Sequence, residues 1–272
     1  MTRRMRFTDL RDRRAGDATQ GEPVFLRGQA QAWPAVKQWS FAGLRSRVAN
    51  VPVRLVMGNR ERQATRFLSM ALHDFLGEIE RAHSTANAPT ASPLYLKEFD
   101  LLKAQPGLAD ELPYVPLLPP HARSFPRCWI GAAGTSTGLH HDLLDNVFIQ
   151  ISGVKRWRLV RKGAVQALGG ASAKFDEWAK LASMDAAVLA TLPGAEERDF
   201  FTVDLHPGDV LHVPAGWWHE VENLTPTVGL AVFHAWRGEL LRKWLWVAAR
   251  SRLHQLGILG RGHCTCHASQ PG

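Results

Sequence analysis

The sequence predicts a mainly β protein, an antiparallel sandwich or barrel with flanking helices, and three observations carry that prediction. Between Cys128 and Trp236, short β-type runs are bounded by glycine and proline turns, as in "HPGDVLHVPAGWWHEVENL". Runs such as "VPVRLVMG" and "KRWRLV" alternate with the period of two that a half-buried strand needs. Helical periodicity is confined to the flanks and to one insertion.

The elements follow in order. Pro23 to Leu26 reads as a short strand, ended by a turn at Gly28 and an aromatic-rich connection through Trp33, Pro34 and Trp39. "VPVRLVMG" is the next strand. Ser69 is placed to cap a helix in which Leu72, Phe75, Leu76 and Ile79 share one face. Residues 82–93, "AHSTANAPTASP", read as a loop. Inside the β region, Ala171 to Leu192 reads as a helical insertion. Pro207-Gly208 turns the chain into a strand ending at Val213, Pro214 to Gly216 turns it again, and the chain returns through Trp217 to Asn223. That hairpin carries His219 near the start of its return strand. After Gly238, "ELLRKWLWVAARSRLHQL" reads as a helix whose stripe of Leu241, Trp244, Leu245 and Ala248 is expected to pack on the barrel or on a second subunit, which would make a homodimer.

Bulk properties narrow the function. A chain of 272 residues can form one domain, and 45% hydrophobic with 21% charged residues is ordinary for a soluble globular protein. No uninterrupted apolar run approaches the ~20 residues of a membrane span. Met1 to Arg14 holds six arginines without a following apolar core, so no secretory signal is expected. Three cysteines, Cys128, Cys264 and Cys266, make no disulfide framework, and a cytoplasmic location is expected. The net charge of +8 suits an acidic partner. No interleaved arginine and aromatic pattern is present, so nucleic acid is not favoured.

The chemistry concentrates in "GLHHDLLDN". Along a strand, His140 and Asp142 project to one side and His141 to the other. An imidazole nitrogen and a carboxylate oxygen aimed at one point suit a first-row divalent metal. His219 is chosen as third ligand, with His212 and His206 as competitors; His206 precedes a Pro-Gly turn and is expected to face solvent, and His212 reads equally as a core residue. Two histidines and one carboxylate form the facial triad of non-haem Fe(II) oxygenases, which leaves metal positions open. Lys155 shares the apolar face of its strand with Trp157 and Leu159. A buried ammonium is costly unless an anion meets it, so an anionic ligand is expected unless Lys155 snorkels from a strand end.

"GTSTGLHHDLLDNVFIQISGVKRWRLV", "LHPGDVLHVPAGWWHEVENL" and the N-terminal "PVFLRGQAQAWPAVKQW" together resemble the JmjC-type, cupin-like Fe(II)/2-oxoglutarate hydroxylases over most of residues 22 to 237. The resemblance implies a double-stranded β-helix (jelly-roll, cupin) barrel with N-terminal α/β elements. Residues 1–237 would be the oxygenase domain, with its core at about 128–236, and 238–272 the C-terminal helix and tail. It implies that His140, Asp142 and His219 are the iron ligands and that Lys155 pairs with the distal carboxylate of 2-oxoglutarate. Thr137 would hydrogen-bond that carboxylate, and Asn146 and Tyr95 would belong to the cosubstrate pocket. Trp236 and His234 are expected as pocket walls. The implied reaction couples oxidative decarboxylation of 2-oxoglutarate by O2 to hydroxylation of an unactivated C–H bond. A peptide or protein side chain, possibly acidic, is the implied substrate, with a free amino acid or natural-product intermediate next and an RNA base third. Demethylation uses the same iron chemistry and ranks lower here for want of a chromatin module. The rival is a metal- or ligand-binding cupin without turnover, which would need neither Lys155 nor Thr137.

The tail "GHCTCHASQPG" places His263, Cys264, Cys266 and His267 within five residues. Such a set can bind Zn, Ni or Cu, and the expectation is a disordered tail with adventitious affinity.

Overall fold

The computed structural model describes residues 7–11, 21–84, 94–260 and 262–268. The arginines before Phe7, Arg13, Arg14 and residues 85–93 of the expected loop lie outside these, while 82–84 close a helix. Among the described residues, two sheets account for all the strands. In chain order these are β1 (Thr8–Asp9), β2 (Val24–Leu26), β3 (Pro52–Met57), β4 (Arg66–Ala71), β5 (Leu94–Phe99), β6 (Arg123–Gly131), β7 (Ser136–Asp142), β8 (Asp145–Ser152), β9 (Lys155–Val160), β10 (Ala179–Leu181), β11 (Phe200–Leu205), β12 (Val210–Val213), β13 (Trp218–Asn223) and β14 (Thr227–Ala235). One sheet runs β1-β11-β9-β13-β7-β10 and the other β2-β12-β8-β14-β6-β5-β3-β4. All pairs are antiparallel except β1 with β11, as expected of a jelly-roll cupin barrel.

Alternation explains where the cores sit. In β8 the side chains of Val147, Ile149 and Ile151 join the outer core, with Leu72, Phe75, Leu76 and Ile79 of the helix Leu72–Ser84. Phe148 points the other way, into an inter-sheet core with Trp157, Leu159, Leu211, Trp217 and Val221. Each such fully buried large apolar side chain contributes roughly 1.5–3 kcal/mol. β8 is buried on both faces, which its near-continuous apolar run records.

Three local expectations are corrected. Ser69 is no helix cap: it lies in β4 opposite Arg54, and sheet pairing there overrides its local preference. The helix start is satisfied instead by Asn50 Oδ1, which accepts from the His73 N–H at 3.0 Å, and by Val51 O, which accepts from Leu72 at 2.9 Å. β12 and β13 are not a hairpin, because β12 pairs with β2 and β8 while β13 pairs with β7 and β9. The turn at Pro214 to Gly216, with Gly216 at φ +83°, carries the chain from one sheet to the other. The insertion Ala171 to Leu192 is mostly irregular, with a single helical turn, Ala186–Leu189, and an edge strand, β10, that pairs with β7.

The helix Arg237–Gln255 forms as expected, but its packing within the chain is through a face other than the apolar stripe, which does not pack on the barrel. Leu241, Trp244 and Leu245 are more than half exposed, and Val247 is its buried residue. Its inward groups meet the insertion: Arg250 lies over Phe175, Ser251 donates to Glu177 at 2.8 Å, and His254 stacks on Phe175. No helix is long and apolar enough to cross a membrane among the described residues.

Candidate active site

Three side chains converge between the sheets. β7 and β13 are neighbours, with His140 directly opposite His219. Asp142, two residues beyond His140, projects to the same side; its Oδ1 is 3.8 Å from His140 Nε2 and its Oδ2 is 3.5 Å from His219 Nε2. The Nδ1 atom of His140 meets Gly138 O at 2.7 Å and that of His219 meets Trp217 O at 3.1 Å. With those N–H groups donating to backbone carbonyls, both Nε2 lone pairs face the carboxylate. Burial pushes the Asp142 carboxyl up to about 6, against the pull of His140. Burial, and then the neighbouring His140, holds His219 well below its ordinary value. Three potential ligand atoms thus face one another within 4.8 Å, an arrangement that suits a divalent cation.

His141 points away, its ring edge-on to Trp218 at 4.7 Å. His206 is exposed. His212 lies in the other sheet, grouped with Asp145 and His234 away from this cavity. His234 and Trp236 therefore do not line the cavity, contrary to expectation; β14 turns His234 to the outer face, and Trp236 is 51% exposed.

A cavity of about 960 Å³ opens over the three residues. Lys155, Thr137, Asn146 and Tyr95 all line it. Lys155 is 1% exposed, so it does not snorkel, and among the described residues it has no carboxylate partner. Its Nζ donates to the Tyr95 hydroxyl at 3.3 Å and lies 4.5 Å from the Phe148 ring centre. Burial pushes this ammonium down to about 7 and the Tyr95 hydroxyl well up. The Thr137 hydroxyl faces Tyr95 without a hydrogen bond of normal geometry, and Asn146 Oδ1 has no partner among the described residues. Strict alternation would turn Thr137 away from His140. A bulge in β7 supplies the extra residue: His219 opposes His140 while Val221 opposes Thr137, so that β7 takes one step more than β13 between the two pairs.

The sequence reading missed one buried group of charges. Glu61 accepts from Lys97 at 2.9 Å, from Arg60 at 3.1 Å and from the Gly138 N–H at 3.1 Å, behind the bulge. Burial alone would raise the Glu61 carboxyl, but Lys97 and Arg60 together hold it well below its usual range. The signal for Lys97 was present in "YLKEF", where it shares strand parity with Tyr95. Its partner, 36 residues away, had no local signature.

A profile of the cupin-like domain matches residues 17–238. The chain belongs to that family. Among curated relatives, it is 27% identical over 222 residues to Jumonji C domain-containing protein 5 of Drosophila melanogaster, covering 78% of this chain and 54% of the relative. It is 28% identical over 222 residues to Lysine-specific demethylase JMJ30 of Arabidopsis thaliana, covering 80% and 51%. A shorter match, 33% over 101 residues, joins 36% of this chain to 22% of HSPB1-associated protein 1 homolog of Danio rerio. The chain thus spans about half the length of the first two relatives. The cupin-like match takes in the converging triad and Lys155. Leu241, Trp244, Thr265 and Cys266, which line the same cavity, lie beyond it.

Proposed function

We propose that the chain is an Fe(II)- and 2-oxoglutarate-dependent oxygenase that hydroxylates an unactivated C–H bond of a peptide or protein side chain. The reading rests on one observation. His140 Nε2, His219 Nε2 and the Asp142 carboxylate converge in a cavity that also holds the buried ammonium of Lys155, which has no carboxylate partner among the described residues.

His140, Asp142 and His219 would hold iron on one face, the donor set that suits non-haem Fe(II). When bound, iron with 2-oxoglutarate and O2 supplies the oxidant for C–H hydroxylation, with succinate and CO2 as co-products. The chain's residues bind and orient. Lys155 would meet the distal carboxylate of 2-oxoglutarate, with Tyr95 and Thr137 donating hydroxyl protons to it and Asn146 contributing its amide. Trp129, Phe148 and Trp157 line the cavity around these groups and limit water there. The cavity rim carries both signs, with Arg60 and Arg127 beside Glu98 and Glu177, so an acidic substrate is not singled out.

Demethylation is the second reading, favoured by the name of the Arabidopsis relative. It is the same hydroxylation placed on an N-methyl carbon, and formaldehyde release rather than retained oxygen distinguishes it. The primary test is an anaerobic titration with Fe(II) and 2-oxoglutarate, followed by the visible charge-transfer band of the chelate. The band is expected in the native chain and absent in His219→Ala. A folded native protein that binds metal but develops no band would point instead to a cupin-like binding protein.

A further inference from the structure

We propose that His254, Cys264, Cys266 and His267 form a structural zinc site that ties the C-terminal tail to the insertion beside the cavity. The four ligand atoms lie within 4.8 Å of one another. His267 Nδ1 is 3.2 Å from both Cys264 Sγ and Cys266 Sγ, and His254 Nε2 is 3.4 Å from Cys266 Sγ. A tetrahedral zinc with Zn–S of about 2.3 Å and Zn–N of about 2.0–2.1 Å separates neighbouring S and N atoms by roughly 3.5 Å. The four groups are therefore within a few tenths of an ångström of that figure where they approach most closely.

The surroundings prepare the donors. His254 Nδ1 meets the Leu259 carbonyl at 2.7 Å, which leaves the Nε2 lone pair facing the sulfurs. Its ring lies parallel to Phe175 with centroids 4.1 Å apart. Cys264 is buried and bridges Phe175; its carbonyl accepts from the Thr65 hydroxyl at 2.9 Å. The Thr265 N–H donates to Phe175 O at 3.0 Å. The Cys-x-Cys spacing is tighter than the usual two to four intervening residues. Here, however, the chain bends through Thr265 to His267 directly after the bridge at Cys264, and both sulfurs lie 3.2 Å from His267 Nδ1.

Residues 262–268 are therefore not the loose tail expected from composition. His263, counted among the tail's candidates, is replaced by His254, which the helix brings from nine residues earlier. Two thiols and two imidazoles offer one another only weak S···N contacts, whereas one four-coordinate ion satisfies all of them. The set is S2N2, with no carboxylate and no ligand position left over. It suits zinc over calcium or magnesium, and a structural over a catalytic role. Phe175, the platform for both ligand segments, precedes Asp176, Glu177 and Trp178, and these three line the cavity with Thr265 and Cys266. Zinc here would hold that wall without touching His140, Asp142 or His219.

The test uses the full chain, purified without an affinity tag and analysed for metal by mass spectrometry. At least one zinc per chain is expected in the native protein and about one in His219→Ala, falling below about one-fifth when Cys264→Ser/Cys266→Ser is added to His219→Ala so that the triad holds no second ion. Cobalt(II) should give a thiolate-to-metal charge-transfer band in the first two. Retention of zinc by the cysteine variant overturns the proposal, as does a native chain whose cobalt form lacks the thiolate band or whose Cys264 and Cys266 are joined as a disulfide. Should the cysteine variant fail to fold, the cobalt spectra of the native chain and His219→Ala decide.

Discussion

Replacing Lys155 by methionine separates two effects that usually move together, stability and ligand affinity. Lys155 is 1% exposed, and burial lowers its ammonium to about 7 from an ordinary 10.5. Between those values the unfolded chain binds a proton that the folded chain does not. Native stability therefore rises with pH through that window, by about 1.4 kcal/mol per unit, and is lost as pH falls from 10.5 to 7. Over the whole window the cost has an upper bound of roughly 4–5 kcal/mol, since relaxation and water entry reduce it. Methionine matches the shape and carries no charge. At pH 7 without cosubstrate, Lys155→Met should be as stable as the native chain or more so, and the gap should close towards pH 10. Affinity for 2-oxoglutarate should move the other way, because a buried charge-assisted pair contributes about 1.5–3 kcal/mol, or roughly 10- to 150-fold in Kd. Urea unfolding at pH 7 and 10, with calorimetric titration of 2-oxoglutarate against Mn(II)-loaded protein, measures both. An unchanged Kd would refute the role assigned to Lys155. A variant destabilised by several kcal/mol at pH 7 would refute the claim that its charge lacks a carboxylate partner among the described residues.

Three further outcomes are expected. His141→Ala should keep metal binding and His140→Ala should abolish it, as read by Fe(II) titration; the reverse pattern would overturn the assignment of the facing ring. Above pH 7, binding of 2-oxoglutarate should take up about one proton to recharge Lys155, so that affinity falls up to tenfold per pH unit. Calorimetry at pH 8 in two buffers of different ionisation enthalpy reads that uptake, and its absence would mean Lys155 is already charged in the free protein. Glu61→Gln leaves Lys97 and Arg60 facing each other without their carboxylate and should cost about 3–5 kcal/mol in urea unfolding; a loss below about 1 kcal/mol would show that water or another acid compensates.

The mainly β class, the strands at Pro52–Met57 and Lys155–Val160, and the common side of His140 and Asp142 are all legible in the amino-acid sequence. Alternation along one strand depends only on backbone geometry, so it survives whatever the strand packs against. The same rule fails across the bulge in β7, where Thr137 reaches the cavity only because one residue is unpaired. It says nothing about Glu61, which sits in a turn and finds Lys97 through the fold. The apolar stripe of the last helix is visible too, but the face that packs is decided by Phe175 and Glu177 of the insertion.

By itself the sequence determined which residues could act: two histidines and an aspartate with metal-ligand chemistry, and a lysine that its strand must bury. Only the tertiary structure decided which of them meet. His212 and His219 are seven residues apart and chemically alike, yet the chain crosses between sheets at Gly216. That crossing leaves His212 with Asp145 and His234, and puts His219 opposite His140. His254 joins the tail cysteines for the same kind of reason. Local periodicity records which face of an element is apolar, whereas the partner that face meets depends on burying surfaces far apart in the chain at once.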